Sequence, residues 1–239
     1  MTNTIADIEE ADTILITGSN TTENHPVLSS VVKRAVTAKG TKLIVVDPRR
    51  IRITRYAAKW LRQNLGSDVA WINGLMHVII KEGLHDKEFI ENRTEGFDEL
   101  QKVVEKYTPD YVEQISGIPA QEIIDAARLY AKADRGCILY CMGITQHTTG
   151  TDNVKSLANL AMLCGNMVIA GGGFNPLRGQ NNVQGACDMG GLPDVYSGYQ
   201  KVIDPDARQR MAEAWKVDAL SDQPGMKATQ MIPAAHDGT

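Results

Sequence analysis

Thr13-Ile14-Leu15-Ile16-Thr17-Gly18 and Lys42-Leu43-Ile44-Val45-Val46-Asp47 decide the fold between them. Each is a short β-branched apolar run closed by a turn residue, the pattern of a strand buried on both faces of a parallel sheet. The polar stretch from Ser19 to His25 leads to Pro26, a residue suited to the first position of a helix. Val27, Leu28, Val31, Val32 and Ala35 then recur at helical spacing until Lys39-Gly40. Strand, crossover helix and strand over this distance make a βαβ unit with a parallel pair. The expected fold class is therefore α/β, a doubly wound, mostly parallel sheet with helices on both faces.

Working outward, residues 68–81 place Ile72, Leu75, Met76, Ile79 and Ile80 on one stripe, and residues 120–133 do the same with Ile123, Ala127 and Tyr130. Residues 86–107 and 110–115 read as shorter helices. Gly136 to Cys141 reads as another strand and 151–163 as a largely buried helix. From Gly171 the texture changes to glycine, asparagine and proline, which is loop chemistry as far as Pro193. One further helix is expected over 206–215, followed by polar sequence without a core of its own. Residues 1–180 are thus expected to form the α/β domain, and 181–239 a loop-rich segment of an incomplete adjacent domain.

The formal charge of −4 supplies no basic field for a nucleic-acid backbone, so nucleic acid is not an expected partner. The arginines at 49, 50, 52 and 55 form a local cluster that fits either a few phosphates or a solvated surface. The four cysteines at 137, 141, 164 and 187 make no CxxC pair, and no histidine stands at zinc-finger spacing. Neither structural zinc nor an iron–sulfur cluster is expected from this segment. Cys137, Cys141 and Cys164 fall in apolar runs and read as core thiols. Met1 to Asp7 has no basic n-region or apolar h-region, and the uncharged stretch from Ser156 to Leu177 is broken by glycines. No membrane insertion is expected, and a cytoplasmic location is the default.

In a doubly wound sheet the ligand sits beyond the carboxyl ends of the strands, where loops expose N–H groups. Four loops belong to that edge: Gly18 to Pro26, Asp47 to Arg50, Leu65 to Asp68, and Met142 to His147. The first lacks GxGxxG, which disfavours an ordinary NAD or FAD site. Asp47 can accept hydrogen bonds from a ribose or purine, and Arg49 can pair with phosphate or stack on a base; equally, Asp47-Pro48 can simply start a turn. Ser67-Asp68 in isolation reads as a helix cap.

The densest polar stretch runs Asn175-Pro176-Leu177-Arg178-Gly179-Gln180-Asn181-Asn182-Val183-Gln184-Gly185-Ala186-Cys187-Asp188-Met189-Gly190, with Arg178 its only cation. Amides packed around one guanidinium suit a polar heterocycle or a small anion, and a planar guanidinium matches a carboxylate bidentately. A polar loop bonded to its own backbone is the plainer alternative. This stretch closely resembles the motif carrying the active-site arginine in formate dehydrogenases of the bis-molybdopterin guanine dinucleotide (bis-MGD) class. Asn20 to Pro26, Lys42 to Arg50, Thr94 to Phe97, Tyr107 to Pro109 and Met142 to Gln146 resemble further family segments in the same order, so the resemblance extends from about Asp7 to Tyr199.

The resemblance implies a Rossmann-like molybdopterin oxidoreductase domain. It implies that Arg178 orients formate and stabilises negative charge beside the reacting C–H bond, and that Gln180 contacts the pterin. Asn20, Asp47, Arg49, Gly66, Ser67, Met142, Gly143 and Gln146 correspond to loops wrapped around guanine dinucleotide and pterin. His25 and His147 read as structural, because the family's histidine follows the metal-ligating residue. Family members carry a cysteine-rich segment for a [4Fe–4S] cluster and a Cys or selenocysteine ligand to molybdenum or tungsten, and these do not precede Arg178 here. The expectation is an internal fragment of a formate dehydrogenase alpha subunit, inactive alone, partnered by formate, the remaining domains and electron-transfer subunits. The alternatives are another bis-MGD oxidoreductase, such as a nitrate reductase, or a stand-alone guanine-nucleotide- or molybdopterin-binding protein.

Overall fold

In the computed structural model, which describes residues 1–238, β1 (Thr13–Thr17) lies parallel to β2 (Lys42–Val46), with Thr13 opposite Lys42 and Thr17 opposite Val46. Side chains alternate across the sheet, and both faces are apolar. Ile14, Ile16, Leu43 and Val45 go to one face with Leu28, Val32 and Ala35. Leu15, Ile44 and Val46 go to the other, where Trp71, Ile72, Leu75 and Met76 cover them. β3 (Lys59–Leu61) extends the sheet beyond β2. On the other side β4 (Gly136–Tyr140) pairs with β1, and β5 (Gly173–Pro176) pairs with β4. Every pairing is parallel and the order is β3-β2-β1-β4-β5. The direction of winding reverses between β1 and β4, which is where such sheets bind ligands.

α1 (Thr21–Asn24) and α2 (Pro26–Arg34) carry the chain from β1 to β2, with Pro26 in the first turn as expected; the last turn, Ala35–Lys39, is π-helical and ends at Gly40 in the left-handed region. α3 (Asp68–Lys81), α4 (Lys87–Arg93), α5 (Phe97–Val104), α6 (Pro109–Ser116) and α7 (Ala120–Ala131) separate β3 from β4. Local chemistry sets several of these boundaries. Asp86 caps α4 by accepting the Phe89 N–H at 2.9 Å, and Thr108 caps α6 ahead of Pro109. Past β4 come α8 (Met142–Thr145) and α9 (Gly150–Leu163), whose Leu157, Leu160 and Ala161 join the core over α3 and α7.

Two strands were not legible in the sequence. β3 has three residues, one of them a lysine. β5, read as loop, has no apolar run and ends in proline, which is tolerated because β5 is an edge strand. Buried Asn175 holds β5 in place by donating to Cys137 Sγ at 3.4 Å and accepting the Asn3 N–H at 3.3 Å.

Met1–Leu177 forms one compact unit and the chain from Arg178 onward a second. The second contains α10 (Val183–Asp188), a hairpin of β6 (Val195–Tyr196) and β7 (Gln200–Lys201), α11 (Pro205–Trp215) and α12 (Ala228–Asp237). α11 and the hairpin bury Val202, Ala207 and Met211, while no residue of α12 is buried. Among the described residues no helix is long and apolar enough to cross a membrane.

Candidate functional site

The carboxyl ends of β1, β2, β3 and β4 open into one cleft of about 310 Å³, within the size range of small-ligand sites. Its floor is glycine on glycine. The Gly143 N–H donates to the Gly18 carbonyl at 3.0 Å, and Gly18 has φ +58°. The loop after β1 adds Ser19, Asn20 and Asn24, the loop after β2 adds Asp47, Pro48 and Arg49, and the segment after β3 supplies Gln63, Asn64, Leu65, Gly66 and Asp68. Cys141, Met142 and His147 close the β4 side.

Asp47 is buried, yet its carboxylate belongs to the cleft wall. One oxygen accepts the Arg49 N–H at 2.8 Å, and the Asp47 carbonyl accepts the Trp60 indole N–H at 2.9 Å, so side chain and backbone are both held. Burial raises its pKa above the ordinary carboxylate value, opposed by the Arg49 N–H and guanidinium. Asp68, also buried, accepts the Trp71 indole N–H at 3.3 Å. His147 Nε2 lies 2.8 Å from the Gly143 carbonyl and 3.8 Å from Asp68 Oδ2. A carbonyl can only accept, so this contact places a proton on Nε2.

Three oxygens in the cleft wall, Ser19 Oγ, Asn20 Oδ1 and Gln63 Oε1, are buried without a hydrogen-bond partner. Buried polar atoms are rarely left in this state, because the lost solvation is costly. Three such atoms in one wall, beside a buried carboxylate and the Arg49 side chain, suit a polar heterocycle that carries donors and an anionic group. A larger hollow of about 590 Å³ runs between the end of α3 and the length of α5, lined by His77, Lys81, Asp98 and Lys102. No strand end converges there, so the cleft at the switch point is the candidate site.

Of the residues singled out from sequence, Asn20, Asp47, Arg49, Gly66, Met142 and Gly143 line this cleft. Ser67 and Gln146 stand beside it. The Ser67 hydroxyl donates to the Asn64 carbonyl at 2.7 Å in place of capping α3, and exposed Gln146 reaches Met142 Sδ at 3.4 Å. Arg178 and Gln180 are exposed residues of the second unit, where Arg178 Nη2 donates to Gln184 Oε1 at 2.7 Å. Ser19, Gln63, Asp68 and Cys141 line the cleft without having been singled out. For Ser19 and Cys141 the available signal was position directly after a strand; for Gln63 that signal was hidden with β3.

The molybdopterin oxidoreductase family matches the sequence along residues 1–239. The chain belongs to this family. Membership implies a molybdopterin cofactor. This molybdopterin oxidoreductase chain is 52% identical over 232 residues to the F420-dependent formate dehydrogenase subunit alpha of Methanocaldococcus jannaschii, covering 97% of the chain and 34% of that protein. It is 46% identical over 238 residues to formate dehydrogenase H of Escherichia coli, covering 100% of the chain and 33% of that protein. The chain therefore spans about a third of the length of these relatives. Among solved structures, acetylene hydratase from Pelobacter acetylenicus superposes with a TM-score of 0.63 at 30% identity, over 69% of this chain and 24% of that one.

Proposed function

We propose that this chain is the part of a formate dehydrogenase alpha subunit that holds a guanine dinucleotide arm of bis-MGD and contributes the arginine that binds formate. The observation carrying the cofactor reading is the switch-point cleft, where buried Asp47, Arg49 and the residues Ser19, Asn20 and Gln63, each with an unpartnered side-chain oxygen, line one volume. These residues fit the group. Guanine presents an N1–H and an exocyclic amine, donors that an Asp carboxylate accepts in parallel, and Arg49 suits the pyrophosphate. The Gly18 and Gly143 backbones keep the floor free of side chains.

When bound, the molybdenum or tungsten of the cofactor supplies two-electron redox chemistry, so that formate leaves as carbon dioxide with two electrons and one proton released. Arg178 pairs its planar guanidinium with the formate carboxylate and orients the C–H bond, and Gln180 contacts the pterin. Residues 1–180 act as the nucleotide-binding domain and 181–239 belong to an adjacent domain. The remaining two thirds of the parent supply the metal ligand and the [4Fe–4S] centre, with electrons passing to partner subunits. The choice of formate rests on relatives named as formate dehydrogenases that match nearly the whole chain.

Two measurements test the reading. Titration calorimetry of the 239-residue chain with guanosine diphosphate is expected to give saturable 1:1 binding, with adenosine diphosphate weaker. In the full-length parent, Arg178→Gln is expected to abolish formate oxidation at unchanged cofactor content. Absence of guanine-nucleotide binding, or full turnover in the Arg178 variant, overturns the corresponding half.

A further inference from the structure

Residues 48–67 hold five arginines and one lysine and no carboxylate, in a chain whose formal charge is −4. Lys59 is neutralised by Glu122 and Asp125 at 3.0 and 2.8 Å. Arg49, Arg50, Arg52, Arg55 and Arg62 are exposed, and among the described residues none has a carboxylate at ion-pair distance. Elsewhere on the same unit the surface follows the ordinary rule of mixed signs: Arg128 pairs with Glu82, Arg135 with Asp12 and Lys39 with Glu10.

The fold fixes where these charges stand. From the cleft wall at Pro48 and Arg49 the chain enters a 3-10 turn over Arg52–Tyr56, anchored by buried Ile51 and Ile53 in the core on the α2 side of the sheet. Side chains three apart eclipse one another in a 3-10 turn, so exposed Arg52 and Arg55 share one face, distinct from that of buried Ile53. Arg62 Nε donates to the Pro48 carbonyl at 3.2 Å, which brings a further guanidinium back to the loop that carries Arg49. Lys33, over the Tyr56 ring at 5.8 Å, adds another cation beside the turn. Of the five arginines only Arg49 lines the cleft. Arg50, Arg52 and Arg55 follow Arg49 in the chain as it leaves the cleft wall, and Arg62 is tied back to the same loop; none is ion-paired among the described residues, and like charges gathered in one segment repel one another in the absence of an anion.

We propose that Arg50, Arg52, Arg55 and Arg62 form an electrostatic capture surface for the phosphate-bearing ligand of the cleft, hastening its arrival without contacting it once seated. The inference rests on the reading of the cleft as a guanine-dinucleotide site. A one-signed field beside a concave site raises the local concentration of an oppositely charged ligand and its association rate. The same field is erased by salt, because exposed charges are screened beyond about 10 Å at 0.1 M ionic strength.

The test is stopped-flow fluorescence on the 239-residue chain with the N-methylanthraniloyl derivative of guanosine diphosphate. The R52E/R55E double variant is expected to lower the association rate constant about tenfold at low ionic strength, the lower end of measured steering effects. Its dissociation rate constant should stay within about twofold of the unaltered chain, and the two association rates should converge near 0.5 M salt, where the field is screened. R52K/R55K, which keeps the charge and changes the geometry, should bind as fast as the unaltered chain. An unchanged association rate in R52E/R55E overturns the capture surface and leaves the cleft reading standing. Faster dissociation with unchanged association also overturns it, since the arginines would then be direct contacts. No binding by the unaltered chain overturns both readings together.

Discussion

Gly18 and Gly143 cross backbone to backbone at the floor of the cleft. A Cβ added to Gly143 would lie 2.6 Å from the Gly18 Cα, and one added to Gly18 would lie 2.6 Å from the Ile144 nitrogen. Both obstacles are main chain and cannot turn aside, so β1 and β4 can end side by side only if both positions lack a side chain. Gly143→Ala is expected to cost about 1–3 kcal/mol, the usual range for a forced overpacking, and to weaken nucleotide binding as the floor opens. Urea denaturation monitored by far-UV circular dichroism measures the first effect. A loss under about 0.5 kcal/mol, typical of a surface change, would show that the crossing is looser than the geometry indicates.

Asp47 sets stability against binding. Burial raises its pKa, so the folded chain holds this proton more tightly than the unfolded chain does. The contribution to stability is therefore fully present below the unfolded pKa and is lost as pH rises through the folded value. At neutral pH the buried charge opposes folding. Asp47→Asn keeps an oxygen for the Arg49 N–H and removes the charge. It should raise the melting temperature at pH 7, with the gain fading as pH falls into the ordinary carboxylate range. Affinity for guanosine diphosphate should drop at least tenfold, because the new amide faces the guanine donors with donors of its own. A melting difference that does not depend on pH would refute the assignment.

How far the sequence could be read followed from where burial leaves its mark. β1, β2 and β4 are buried on both faces and read directly as apolar runs; α3 and α7 read as apolar stripes. β3 and β5 are edge strands in which Lys59 and Pro176 interrupt any such pattern, and hydrogen bonding by Trp60 and Asn175 does the work that an apolar run does elsewhere. The cleft was legible to the same degree. Asp47 and Met142 follow strands that could be seen, whereas Gln63 follows one that could not. Asp68 stands 3.8 Å from a histidine 79 positions later in the chain, a proximity that no local pattern encodes.

His147 locks the crossing from the β4 side. The Gly143 amide is held by the Gly18 carbonyl and the Gly143 carbonyl by His147 Nε2, with Asp68 Oδ2 3.8 Å from the same nitrogen. His147→Ala removes one hydrogen bond, worth about 1 kcal/mol, which corresponds to about a fivefold loss of guanosine diphosphate affinity if the loop must be held for binding. His147→Gln carries a side-chain N–H that can reach the same carbonyl and should recover most of that loss. Equal affinities for the alanine variant and the unaltered chain, measured by titration calorimetry, would reduce the contact to a local tether.

The four thiols should separate by reactivity. Burial pushes Cys137 and Cys164 up to about 12, in Cys137 against the lowering effect of the Asn175 amide. At pH 8 a thiol of that kind is thiolate for about one molecule in ten thousand, and the thiolate is the form that alkylates. Cys141 is buried at the cleft and donates to the Leu177 carbonyl at 2.8 Å, while Cys187 is half-buried in α10. Iodoacetamide at pH 8, followed by peptide mass spectrometry, should label Cys187 first and Cys141 next, with guanosine diphosphate slowing only Cys141. Cys137 should react no faster than the chain unfolds, Cys164, half-buried at the end of α9 with a raised pKa, more slowly than Cys187, and all four should react together in urea. Rapid labelling of Cys137 in the folded chain would mean that β4 and β5 part readily, and with them the strand end that carries Asn175 toward Arg178.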